Sequence, residues 1–92
     1  MEYPRSEPNN QQIVQLNQLN PGQTGTIMRV NGRATARRRL LEMGLVRGET
    51  IFVERVAPLG DPVEFTVKGY HLSLRRHDAA NIEVKLNKVS KE

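Results

Sequence analysis

No cysteine occurs in the 92 residues, so neither a disulfide nor a thiolate metal site can hold the fold together. The absence fits a reducing compartment. Tryptophan is missing too, and two Phe and two Tyr are the only aromatics. That is too few for a platform on which single-stranded bases stack. No apolar run is long enough to cross a bilayer, and the N-terminus carries no secretory hydrophobic segment, so a cytoplasmic location is the expectation. The Gly-x-x-x-x-Gly-Lys-Ser/Thr cradle for a nucleoside triphosphate is absent, and no hydroxyl sits in a nucleophile elbow. An enzyme is not expected.

Residues 1–12 lack Ile, Val, Leu and Phe and are rich in Pro, Asn and Gln. Such a stretch buries too little apolar surface to offset chain entropy, which predicts a disordered polar tail. A frayed C-terminal tail over residues 87–92 is expected for the same reason. What remains, residues 13–86, reads as one domain near the size at which a single apolar core suffices. A small chain without staples favours an economical solution, such as a β-barrel that leaves few open edges.

What is there has a clear rhythm. Ile13, Val14, Leu16 and Leu19 suggest a helical or irregular lead-in to the turn at Pro21-Gly22. Thr24 to Val30 is β-prone, with Gly25 read as a bulge or tight bend. A helix starts near Ala34, and Arg47-Gly48 marks the next turn. Ile51 to Val56 reads as a strand, its Ile51-Phe52-Val53 start implying burial on both faces. Val63 to Lys68 alternates with Val63, Phe65 and Val67 inward. After Gly69, Tyr70 to Arg75 alternates again, with Leu72 and Leu74 inward, Tyr70 assigned to the core and His71 facing solvent. His77 to Ala80 predicts one helical turn, and Ile82 to Leu86 a closing strand. About five strands with one short α-helix after the first describe a small antiparallel barrel of the SH3-like kind.

The helix carries the charge. Residues 29–47 hold six arginines against Glu42 alone, a net of +5, and everything else nets −1. Ala36, Leu40 and Met43 form an apolar stripe, with Leu41 and the stem of Arg37 at its edge. Gly44 suits a left-handed position after the last turn, and Leu45 can then fold back on Leu40 in a Schellman ending. Arg38 and Glu42 stand at pairing distance, i and i+4. Three adjacent arginines, Arg37, Arg38 and Arg39, still crowd like charge on about 200° of helix, by the 100° advance per residue. A basic binding face accounts for that arrangement. The partner is either an acidic protein or a duplex nucleic-acid backbone.

Other chemistry is thin. His71 and His77 lie on different elements and lack neighbouring ligands at metal spacing, so no metal or cofactor is assigned to them. Asp61, in Gly60-Asp61-Pro62, reads as a turn residue bonding nearby backbone. Leu59, between Pro58 and Gly60, either caps the barrel end or belongs to a contact surface with Gly60 and Asp61.

Arg38-Arg39-Leu40-Leu41-Glu42-Met43-Gly44-Leu45, Gly48, Val56 to Pro62, Leu72-Ser73-Leu74-Arg75, Ala79 and Ile82-Glu83-Val84 together resemble the FeoA family. The resemblance covers roughly residues 16–84. It implies an SH3-like barrel and a cytoplasmic accessory to FeoB, the membrane transporter of ferrous iron that carries a GTPase domain. Such a protein would bind no iron, nucleotide or nucleic acid itself and would reach the inner membrane only through its partner. The same barrel resembles the C-terminal domain of DtxR-type repressors, but with a polar tail of twelve residues ahead of it a DNA-reading helix-turn-helix is not expected. The resemblance implies no catalytic residues. Leu40, Met43, Gly44, Leu45, Gly48 and Leu74 are expected to be structural, and Arg37, Arg38, Arg39, Leu59, Gly60 and Asp61 to meet the partner. Arg47-Gly48 stands where family members often have Pro-Gly, and it adds charge there.

Overall fold

The computed structural model describes residues 12–87, so most of both expected tails lies outside the described residues. Within that range the chain runs β1 (Ile13–Gln15), a 3-10 turn (Leu16–Gln18), β2 (Thr24–Val30), α1 (Ala34–Glu42), β3 (Thr50–Val56), β4 (Val63–Val67), β5 (Tyr70–Leu74), α2 (Arg76–Ala79) and β6 (Ile82–Leu86). All six strands join one antiparallel sheet in the order β1-β6-β2-β3-β4-β5. The register shifts between Ile27 and Arg29 on β2, and between Val53 and Arg55 on β3. An extra residue on one strand bends it and increases its twist, which lets so short a sheet curl around a core.

The lead-in is where the structure departs most from expectation. Ile13 to Gln15 is a strand, paired with β6 through Ile13–Lys85, Val14–Val84 and Gln15–Glu83. The spacing of Leu16 and Leu19 is helical, but a single 3-10 turn uses it. Both leucines are buried. At the two ends of the described range, the Gln12 carbonyl accepts the Leu86 N–H at 2.9 Å, and the Asn87 N–H donates to Thr24 at 2.9 Å.

Alternation holds best in β4, where Val63, Phe65 and Val67 are buried. The turn to β5 needs only Lys68 and Gly69, with φ of +55° and +84°, the two positive values of a type I′ hairpin. β3 also alternates. Ile51 and Val53 are buried while Phe52, on the other face, is only half-buried, so the expected double-sided burial does not occur. Gly25 sits in regular register with Ile51 and Leu86; the irregularity falls at Met28 instead. What the glycine provides is closeness, because a Cβ there would come within 2.9 Å of a Val84 methyl.

Leu40 alone is buried on α1, with Leu41 and Met43 against the core beside it. The helix ends as its sequence implies: Leu45 N–H reaches the Leu40 carbonyl at 3.2 Å and Gly44 N–H the Leu41 carbonyl at 3.0 Å. With Gly44 at φ +92°, these are the two bonds of a Schellman ending. Leu45 and Leu74 join the core. Gly48, also at positive φ, turns the chain back and donates to Ile27 at 2.8 Å.

Candidate partner-binding surface

β3 accompanies β2 only as far as Thr26, yet β2 continues to Val30. Its next carbonyls therefore need other donors. Gly48 N–H takes Ile27, Arg47 Nη1 takes Met28 at 3.1 Å and Arg37 Nε takes Val30 at 3.0 Å. Two of the six arginines thus complete a strand edge. Arg37 lies along the core edge as expected, and its guanidinium is fixed there.

The other arginines face outward. Arg39 approaches Asp78 of α2 at 3.8 Å, and His77 lies 3.4 Å from the same carboxylate. The expected Arg38–Glu42 pair does not form among the described residues, where Arg29, Arg33 and Arg38 make no ion pair. An exposed guanidinium with no bound carboxylate keeps its charge available to a partner. Beside it, Gly32, Arg33, Ala36, His77, Asp78 and Asn81 line an open groove of about 380 Å³ between α1 and α2.

The second expected contact region is the loop joining β3 to β4, residues 57–62. Its turn is closed by Gly60 N–H on Ala57 at 2.7 Å and Ala57 N–H on Pro62 at 3.0 Å. Asp61 is tied farther away than a turn residue would be. Its Oδ1 accepts the backbone N–H of Arg76, the first residue of α2, at 2.9 Å. The Arg76 side chain returns the contact, with Nε on the Gly60 carbonyl at 2.6 Å and Nη1 on the Asn17 carbonyl at 3.1 Å. Leu59 projects from this braced loop with 96% of its surface exposed, so it does not cap the barrel.

α2 thereby joins the two regions that the sequence kept apart. One side of this four-residue helix meets Arg39 of α1; its first residue holds Gly60 and Asp61. Arg76 was missed because its side-chain partners lie 16 and 59 residues away, and no local pattern marks such a bond.

Two expected placements change. Tyr70 is not core: it is 43% exposed, and its hydroxyl donates to the Met43 carbonyl at the end of α1. It shares the inward face with Val67, its register partner, but sits at the rim where an amphipathic ring can keep its polar tip satisfied. His71 is exposed as expected, with Nδ1 3.0 Å from the Thr66 hydroxyl, which in turn donates to the Glu54 carboxylate. Among the described residues no three His, Cys, Asp or Glu side chains gather at ligating distance.

The family model described as the FeoA domain matches residues 14–86. The Fe(2+) transport protein A/Fe(2+) transporter FeoB fusion protein of Porphyromonas gingivalis is 51% identical over 73 residues, covering 79% of this chain. The chain spans only 9% of that relative's length. The solved FeoA-like protein of Clostridium acetobutylicum superposes with a TM-score of 0.79 at 31% identity, over 87% of this chain and 93% of that one. A zinc-complexed FeoA of Stenotrophomonas maltophilia, described as a procaryotic SH3 domain protein, does so with a TM-score of 0.67 at 27% identity, over 75% and 86%. The architecture is therefore mainly β and SH3-like, and the chain belongs to the FeoA family, which is linked to ferrous iron transport.

Proposed function

We propose that this chain is a non-catalytic accessory of ferrous iron uptake that binds the cytosolic, GTPase-bearing part of a FeoB-type transporter and modulates it. The observation that carries this reading is the Porphyromonas gingivalis fusion, in which a segment 51% identical to this chain shares a polypeptide with the transporter. Covalent linkage gives two modules an effective concentration in the millimolar range for short flexible linkers. Without such a linkage the same encounter rests on affinity and steering. The uneven charge supplies steering, because a basic flank raises the association rate with an acidic surface and loses that advantage as salt rises.

No described helix is long and apolar enough to cross a membrane. In this reading the chain meets the inner membrane through its partner. The contact surface we assign is the outward side of α1, with Arg38 and Arg39 foremost, together with Leu59, Gly60 and Asp61. Arg37 of α1 adds charge from its fixed position against the Val30 carbonyl of β2.

Two measurements test the reading. The tagged chain should be retained on a detergent-solubilised FeoB-type transporter, less so as salt increases. Cells lacking the chain should take up Fe(II) at an altered rate that its return restores. A chain that ignores the transporter but binds generic duplex DNA, with steep salt dependence, would move the arginines to a phosphate backbone and end this reading.

A further inference from the structure

A leucine at 96% exposure contributes nothing to the fold, yet the loop that presents it is tied down at several points. Two backbone bonds close its turn. Three more bonds, all made by Arg76, fasten Gly60, Asp61 and the Asn17 carbonyl to the start of α2. A single exposed apolar side chain is ordinary on a protein surface. One held rigid by a half-buried arginine is not explained by surface statistics, because ordering a loop tip costs conformational entropy. Ordering it in advance removes that cost from binding.

The surroundings of Leu59 define what it fits. Arg75 and His77 are exposed on either side of Arg76, and Arg39 meets α2 from the other flank through Asp78. The surface is an apolar knob beside an edge on which Arg75, Arg76 and Arg39 outnumber Asp61 and Asp78, so that edge is net positive.

We infer that Leu59 is the anchor of the transporter contact, inserting into an apolar socket edged by carboxylates on the transporter's cytosolic part. Arg76 is the positioning residue that holds the anchor in place. The inference rests on the proposed function and names the chemistry of the partner's side. It also makes α2, expected from the sequence only as one helical turn, the piece that sets the knob and its net positive edge at a fixed separation.

The test begins with the intact chain and the solubilised transporter. Leu59→Ala should weaken binding about ten- to a hundredfold, the range expected for losing a buried leucine side chain. Its melting temperature should not move, and Leu59→Met should keep most of the affinity. Arg76→Gln should weaken binding as well. If Arg76 acts through Leu59, the double variant should bind no worse than the weaker single variant, since the anchor can be lost only once. Additive losses would give Arg76 a merely structural part and overturn the inference. Wild-type affinity for Leu59→Ala would overturn it while leaving the proposed function intact.

A second measurement needs no transporter. Backbone amide relaxation at Leu59 and Gly60 should report a rigid tip in the wild type and a mobile one in Arg76→Gln. Equal mobility in both would overturn the inference even if the transporter binds nothing. Binding to anionic phospholipid vesicles as tight as to the transporter, and equally sensitive to Leu59→Ala, would assign the knob to a lipid surface instead.

Discussion

Helix α1 is fastened at one end and open at the other. At its C-terminus, the Leu40 and Leu41 carbonyls are taken by Leu45 and Gly44, and the Met43 carbonyl by the Tyr70 hydroxyl. Among the described residues its N-terminal turn has no such partners. Arg33 occupies the capping position with an extended backbone, but its side chain makes no cap, and no acid stands in the first turn. The contrast shows how nine residues carrying three arginines stay helical. Tertiary contacts fix the tail, one buried leucine fixes the middle, and the head opens on the groove facing α2. A helix held this way presents its charges at a fixed angle without being stabilised along its whole length.

The sharpest way to break that contrast is Gly44→Ala. Alanine must adopt φ near +92°, and its Cβ would lie 2.5 Å from the Tyr70 hydroxyl. The left-handed penalty and the displaced hydrogen bond together should cost about 2–3 kcal/mol. Thermal unfolding should fall by roughly 10–20 °C for a domain of this size. Next comes Arg37→Ala, which leaves the Val30 carbonyl without its charged donor and should cost about 1.5 kcal/mol. Tyr70→Phe keeps the ring and removes only the bond to Met43. It should cost about 1 kcal/mol, measured by denaturant unfolding with an unchanged slope.

The open end can be improved instead. Arg33→Ser puts a hydroxyl at a position whose backbone, φ −71° and ψ 157°, already suits a cap. Serine there should bond a free N–H of the first turn and stabilise by about 0.5–1 kcal/mol. A helix that gains nothing would show that its first turn is already satisfied, and the contrast between the ends would disappear.

Legibility in the sequence followed the range of the interactions. The Schellman ending was readable because Leu40, Gly44 and Leu45 are neighbours, and the Lys68-Gly69 hairpin because two periods of alternation flank it. β1 was not, since three residues with only Val14 even half-buried carry no period, and their strand character comes from β6, some seventy residues away. Tyr70 was misplaced for a related reason. Parity put it on the inward face, correctly, but parity does not say where the barrel ends. In the candidate surface, the outward placement of Arg38 and Arg39 was within reach of the sequence, the exposure of Leu59 was left open between two readings, and the division of labour among the arginines was not legible. Arg37 and Arg47 differ from Arg38 only in lying beside carbonyls of β2 that β3 has left behind.

That division gives the smallest expected effect on the fold and the most direct one on recognition. Arg38→Glu removes a charge that no described acid accompanies, on the exposed side of a helix whose core contact is Leu40. Stability should stay within about 0.5 kcal/mol of the wild type, as for a surface change away from caps and core. Reversing one charge on the basic flank should slow association with the transporter, and the deficit should shrink as salt shortens the Debye length below about 8 Å. Arg37→Ala would show the opposite profile, a less stable chain with a smaller change in association rate. If the two variants instead lost stability and association in equal proportion, the strand-edge arginines and the outward ones would be a single electrostatic unit, and the contact surface would extend across β2 as well as α1.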